Sequence, residues 1–215
     1  MRAFLHATAL EVAPLLLGAV ISHETTEGTV GVMLTEVEAY LGDGTDPGSH
    51  AYRGKTARNA PMFGEPGHLY AYFTYGMYTC GNIVCSPDGT ASGVLMRAGR
   101  VVEGVELARS RRSTSKKDHD LARGPALLAM ALGVTLADKG ADLLTSPFRL
   151  ELAPAPLEYR SGPRTGLSGP GGTEDFPWRF WLPDEPSVSA YKRHKHAGEE
   201  VRRGRAAGPG SAAGR

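Results

Sequence analysis

Between Thr29 and Tyr40 the chain reads TVGVMLTEVEAY, in which apolar residues recur at every second position. A period of two is the repeat of a β-strand, and it places Val30, Val32, Leu34, Glu36, Glu38 and Tyr40 on one face. That face ends in two carboxylates, and burying a charge without a partner is costly. Two readings stay open on the pattern alone. Either the strand emerges into solvent there and both glutamates are wet, or a carboxylate sits at a pocket mouth as a general base with Tyr40 beside it.

Composition supports a strand-and-loop chain. Gly (28) and Pro (15) take about a fifth of the 215 residues, against a usual share of roughly 12%, which predicts turns and shaped loops rather than a helical bundle. Apolar residues at 41% and charged residues at 22% suffice for a core and are too balanced for a disordered chain. The length suits one domain. Thr8-Ala-Leu-Glu11 reads as a capping box that opens a helix ending near Gly18. Strands are expected over 19–24 and 29–40, then over 68–74 and 78–85 on either side of Tyr75-Gly76-Met77, with another over 93–97. Residues 43–67 form a long loop, and loops of that length are usually functional or disordered. Helices follow near 101–110 and 124–132, and short strands near 148–152 and 178–182 flank the Gly/Pro-rich stretch 162–173. The fold class expected is α+β. It comprises a single domain over 1–195 with a curved, mostly antiparallel sheet, short helices and a protruding β-hairpin. Residues 196–215, ending AAGPGSAAGR, form a basic Gly/Ala/Pro tail expected to be disordered.

Charge is uneven along the chain although the formal net charge is only +1. Residues 109–117, RSRRSTSKK, hold five bases and no acid. Such a run is either a solvated face or a phosphate-facing patch. In the loop, Arg53, Lys55 and Arg58 lie among small residues, a pattern suited to phosphate oxygens. Between Tyr70 and Tyr78 five of nine residues are aromatic. Tyr70 and Phe73 fit a strand core, whereas Tyr75, at a hairpin tip, gains nothing for folding by exposure. Tips of that kind serve as wedges or stacking platforms for bases.

Other chemistries lack their residues. There is no H-E-x-x-H, Walker A, G-x-G-x-x-G or G-x-S-x-G segment. Two cysteines, Cys80 and Cys85, exclude a disulfide framework and a four-cysteine zinc site. No metal and no cofactor are expected. The longest apolar run, Val12 to Ile21, is about half the ~20 residues that span a bilayer and is broken by Pro14. A cytoplasmic protein without membrane contact is therefore expected.

Taken together, TEVEAYLG (35–42), His50, ARNAPMFGEPGHLYAYFTYGMYTCGNI (57–83) and VLMRA (94–98) resemble the alkyladenine DNA glycosylases, also called 3-methyladenine DNA glycosylases. The resemblance covers roughly residues 4–193. It implies a monofunctional base-excision-repair enzyme that cleaves the N-glycosidic bond of alkylated or deaminated purines in double-stranded DNA, acting as a monomer. It implies that Glu38 activates the attacking water and that Arg97 helps hold it. Tyr40, His50 and Tyr72 would line the base pocket, with Asn82 at its floor or mouth. Tyr75 would fill the gap left by the extruded nucleotide, and a backbone carbonyl of RTGLSG (164–169), near Thr165, would touch the water. The setting would be the cytoplasm, nucleoid-associated in a prokaryote or nuclear in a eukaryote. Two alternatives remain. One is a non-catalytic nucleic-acid-binding module of the same fold, and the other a carboxylate hydrolase acting on free nucleosides.

Overall fold

The computed structural model describes residues 2–199 apart from Asp43 and Tyr75. The first elements are two short helices, α1 (Arg2–Leu5) and α2 (Ala9–Leu15). The capping box forms as expected: the Glu11 carboxylate accepts from the Thr8 amide at 2.9 Å and from the Thr8 hydroxyl at 2.8 Å. A hairpin follows, β1 (Val20–Thr25) and β2 (Gly28–Leu41), and then a second, β3 (Leu69–Thr74) and β4 (Tyr78–Val84). Next come β5 (Ser92–Glu103), α3 (Val105–Arg111), β6 (Ala122–Arg123) and α4 (Pro125–Leu132). Three short strands complete the set: β7 (Phe148–Glu151), β8 (Arg160–Gly162) and β9 (Arg179–Trp181).

Among the described residues these nine strands make one open antiparallel sheet with a spine ordered β3-β4-β5-β2-β1-β7. The α+β class is therefore the one observed. Two long strands, β2 and β5, hold it together, and each changes neighbour along one edge. Residues 28–33 of β2 pair with β1, whereas Glu36 to Glu38 pair with β9. In β5, residues 93–95 pair with β4 and residues 98–99 with β6.

Where β2 changes neighbour its ladder is irregular. Pairing steps from Leu34 opposite Gly99 to Glu36 opposite Ala98, and then to Val37 opposite Met96. Such bulges break the alternation of side chains, so the single face expected for Val30 through Tyr40 does not hold. The main core takes Val30, Val32 and Leu34 and then, with the phase switched, Val37 and Ala39. Glu36, Glu38 and Tyr40 are left on the opposite side. Along β3 the alternation is regular: Leu69 and Ala71 enter the main core, while Tyr70 and Tyr72 join a second cluster with Met62, Phe63 and Val84.

The helix expected over 101–110 starts only at Val105, because 101–103 continue β5. β-Branched Val101 and Val102 suit the pleat, and Gly104 makes the corner with φ +67, where a Cβ would collide with the Thr29 carbonyl. The strand at 160–162 carries no alternating apolar pattern and was not expected. α4 stops as expected at Gly133 with φ +74. Of the expected tail, residues 200–215 lie outside the described residues, whereas Ala197 forms a bridge with Gly169. No helix among the described residues is long and apolar enough to cross a membrane, and none of their His, Cys, Asp and Glu side chains group as a metal site.

Candidate active site

The second half of β2 carries two carboxylates that are fully buried, Glu36 and Glu38, each with no exposed surface. The reading in which the strand end is wet is thus overturned. The bulged ladder turns both side chains inward beneath the 160–190 segments, which supply the donors that burial requires. The two residues are satisfied in different ways.

Glu36 is enclosed by cations. Its Oε1 accepts from Arg97 Nε at 2.9 Å and from Arg179 Nε, and its Oε2 accepts from the Ser189 amide at 2.8 Å. Arg179 also donates to the Ser189 carbonyl at 3.0 Å. This network fastens the chain after β9 to the centre of the sheet.

Glu38 meets fewer donors. Its Oε1 accepts from the Thr165 amide at 2.7 Å and lies 3.5 Å from Arg97 Nε, and its Oε2 accepts from Tyr40 Oη at 2.9 Å. Burial, followed by the neighbouring Glu38 charge, pushes the Tyr40 phenol well above its usual range. It therefore remains a proton donor to the carboxylate. Arg97 loses proton affinity to burial but gains more from Glu38 and Glu36, and it ends above its ordinary value. The contact seen from the 164–169 segment is the Thr165 amide, bonded to the carboxylate itself; the expectation had centred on a carbonyl facing the water.

Beyond Tyr40 lies a cavity of about 100 Å³ lined by His50, Met62, Tyr70, Tyr72, Asn82 and Leu167 together with Tyr40 and Gly48. The four pocket residues named from sequence are all in this wall. His50 Nδ1 lies 3.0 Å from Tyr70 Oη, and its ring meets Tyr72 edge-on at 4.7 Å. Burial, with Arg58 second, lowers the affinity of His50 for a proton, and burial raises Tyr72 far above the normal phenol value. Asn82 is anchored by donating from Nδ2 to the Tyr70 carbonyl at 3.2 Å. Cys80, on the strand opposite Tyr72, has its thiol pushed up to about 11 by burial. Buried behind the lining residues, it stays protonated at neutral pH and is not a nucleophile.

The remaining candidates fall outside this wall. Arg53, Lys55 and Arg58 are exposed on the loop. Arg58 donates to the Phe73 carbonyl at 3.2 Å and stands 5.9 Å from the Tyr72 ring, and Lys55 stands 5.7 Å from the Phe63 ring. Tyr75 lies outside the described residues. Its neighbours on that hairpin, Phe73, Met77 and Tyr78, are exposed.

Sequence reasoning missed Arg164. It is fully buried and binds Asp46 through two 2.6 Å hydrogen bonds, while its other N–H groups reach the Ala39 and Gly171 carbonyls. The guanidinium stacks 4.5 Å from the Tyr40 ring and 5.1 Å from Trp178. It thereby fixes the ring that reaches Glu38 and, through its neighbour Thr165, the amide that caps it. The signal available was a lone Asp-Pro-Gly turn at 46–48 and the arginine that opens RTGLSG, and nothing local connects the two.

Known proteins resemble this chain over most of its length. Residues 3–186 match the family model described as methylpurine-DNA glycosylase. A protein of Leifsonia xyli printed as "Putative 3-methyladenine DNA glycosylase" is 62% identical over 192 residues, covering 87% of this chain and 90% of its own. Proteins of the same name from Streptomyces avermitilis and Mycobacterium tuberculosis are 52% and 48% identical, covering 90% and 85% of this chain and 92% and 89% of theirs. On a match over most of its length and on relatives of this similarity, the chain belongs to the methylpurine-DNA glycosylase family.

Proposed function

We propose that this chain is a 3-methyladenine DNA glycosylase that draws a damaged purine nucleotide out of duplex DNA and hydrolyses its N-glycosidic bond. The observation that carries the reading is the buried Glu38 carboxylate, held by Tyr40 and the Thr165 amide next to Arg97 and beside a pocket walled by aromatic rings. A glycosidic carbon within the stack is unreachable, so the nucleotide must be flipped at a cost of a few kcal/mol. Stacking on aromatic rings returns about 1–3 kcal/mol per base. Tyr40, His50 and Tyr72 serve the extruded purine in this way, Asn82 shapes which bases fit, and Tyr75 fills the gap in the helix. Arg53, Lys55 and Arg58 contact phosphates, and one chain acts alone.

The chemical step is a single displacement. Water attacks C1′, its proton passes to Glu38, and the bond to the base nitrogen breaks with its electrons going to the base. Arg97 orients the water. The products are a free base and an abasic site. A base alkylated to a cation leaves neutral, and aromatic faces favour it by about 0.5–2 kcal/mol while bound. No lysine nucleophile takes part, so the strand is not cut. The test is single-turnover release of 3-methyladenine and hypoxanthine from duplexes by wild type and Glu38→Gln. Loss of release with DNA binding retained is the expected result. Wild-type protein that releases neither base would overturn the reading.

A further inference from the structure

Asn59 lies in the ARNAPMF segment but not in the pocket wall, and it is only 1% exposed. Its side chain is fully engaged. Oδ1 accepts from the Thr56 amide at 2.6 Å, and Nδ2 donates to the His50 carbonyl at 2.9 Å and to the Gly54 carbonyl at 3.0 Å. A carboxamide is the side-chain group that offers an acceptor beside two N–H donors, and neither amide hydrogen is left for a ligand. All three partners are main-chain atoms of residues 50–56, in a stretch from 50 to 59 with neither helix nor strand. One buried side chain thus closes the loop between its ends, where no ladder of backbone bonds does so. Asn59 is itself held from both sides. Its neighbour Arg58 donates to the Phe73 carbonyl on β3 at 3.2 Å, and Lys139 Nζ donates to the Arg58 carbonyl at 2.9 Å.

We infer that Asn59 is a positioning residue that sets two parts of the DNA site at once: the His50 ring for the extruded base, and Arg53 and Lys55 for the phosphates of the same duplex. The inference rests on the glycosylase reading and extends it to a residue that meets no substrate. His50 opens the loop and presents its ring to the base pocket, edge-on to Tyr72 at 4.7 Å with Nδ1 3.0 Å from Tyr70 Oη. That geometry needs a fixed backbone at residue 50, and the Asn59 amide holds its carbonyl. Arg53 and Lys55 are exposed on either side of Gly54, the second carbonyl that Asn59 holds. Long cationic side chains contact phosphates at less entropic cost when their backbone is already ordered. Through one amide, then, the grip on the backbone and the shape of the pocket wall are fixed together.

The probes are a fluorescent duplex with one hypoxanthine and the same duplex undamaged, each bound by wild type, Asn59→Ala and Asn59→Asp over a range of NaCl concentrations. Two readouts are independent of how much of each variant is folded: the ratio of the two affinities, and the slope of log affinity against log salt. Asn59→Ala should lower the ratio about 10-fold and flatten the slope by about one. Asn59→Asp, nearly the same shape but without the two donors, should lower the ratio as far. In a His50→Ala background, Asn59→Ala should change the ratio by less than about 2-fold, because the ring it positions is already gone. A ratio and slope like wild type would overturn the inference even with a lower thermal midpoint, since a purely structural clamp gives that result. Equal fractional losses of the ratio with and without the His50 ring would overturn it as well. Wild-type protein that does not distinguish the two duplexes would instead bring down the glycosylase reading on which this one rests.

Discussion

Residues 28–34 and 35–41 belong to one strand and share β5 as a neighbour, yet they are buried for different reasons. The first half pairs with β1 on its other edge and sends Val30, Val32 and Leu34 into the main core. There burial is itself the stabilising term, at roughly 25 cal/mol per Å² of apolar surface. The second half pairs with β9 and buries Glu36 and Glu38, whose enclosure opposes folding until arginines and amides repay it. The pair also divides the work. Glu36 spends its oxygens on Arg97, Arg179 and Ser189, which fastens the chain after β9 to the sheet, whereas Glu38 meets one amide, one phenol and a more distant arginine. One strand can therefore bury two carboxylates two residues apart with unequal donor supply, Glu36 held by two arginines and an amide and Glu38 by an amide and a phenol.

Substitutions in the two halves should separate these roles. The largest effect expected is on turnover: Glu38→Gln should lower single-turnover base release by about 10²–10⁴ and move the thermal midpoint by less than about 2 °C. A normal rate would remove Glu38 from the chemistry. Glu36→Gln should do the reverse, because it leaves Arg97 and Arg179 without their carboxylate inside the protein; urea unfolding should show a loss of about 3–5 kcal/mol. An unchanged urea midpoint would put the two glutamates on the same footing. In the apolar half, Leu34→Ala should cost about 2–5 kcal/mol through lost burial and the cavity left behind, with base release by the folded protein retained at low temperature. A fall in activity greater than the fall in folded fraction would mean that the halves are coupled.

The smallest effect concerns pH. Burial, then Arg58, depresses the proton affinity of His50, so between its native value and about 6.5 the unfolded chain binds more protons than the native one. Stability then rises with pH through that window and is lost as pH falls through it. His50→Gln should flatten the stability–pH curve there by less than about 1 kcal/mol per pH unit, since the rim position of the ring leaves it screened by solvent. Identical curves for the two proteins between pH 5 and 7 would show that His50 carries no such penalty.

Much of this was legible in the chain alone. The two-residue period announced β2, the capping box announced α2, and the run of tyrosines announced the hairpin whose inner face becomes the pocket wall. Glu38, Arg97, Tyr40, His50, Tyr72 and Asn82 were named together on the strength of their motifs, and the structure brings them together. The alternation failed at Thr35–Val37, because a bulge is a property of the ladder with β5 and not of either strand's composition. Arg164 and Asp46 were invisible for a similar reason: they lie 118 residues apart, and neither has a local pattern.

By itself, then, the order of residues determined which segments pleat or coil and which side chains possess the needed chemistry, since those properties arise from near neighbours along the backbone. Only the tertiary structure decided which of two adjacent glutamates is neutralised and which is left less fully paired. Donor supply at a buried carboxylate depends on Arg97, Thr165, Arg179 and Ser189. Those residues come from segments distant in the chain, and they meet only once the sheet has closed over them.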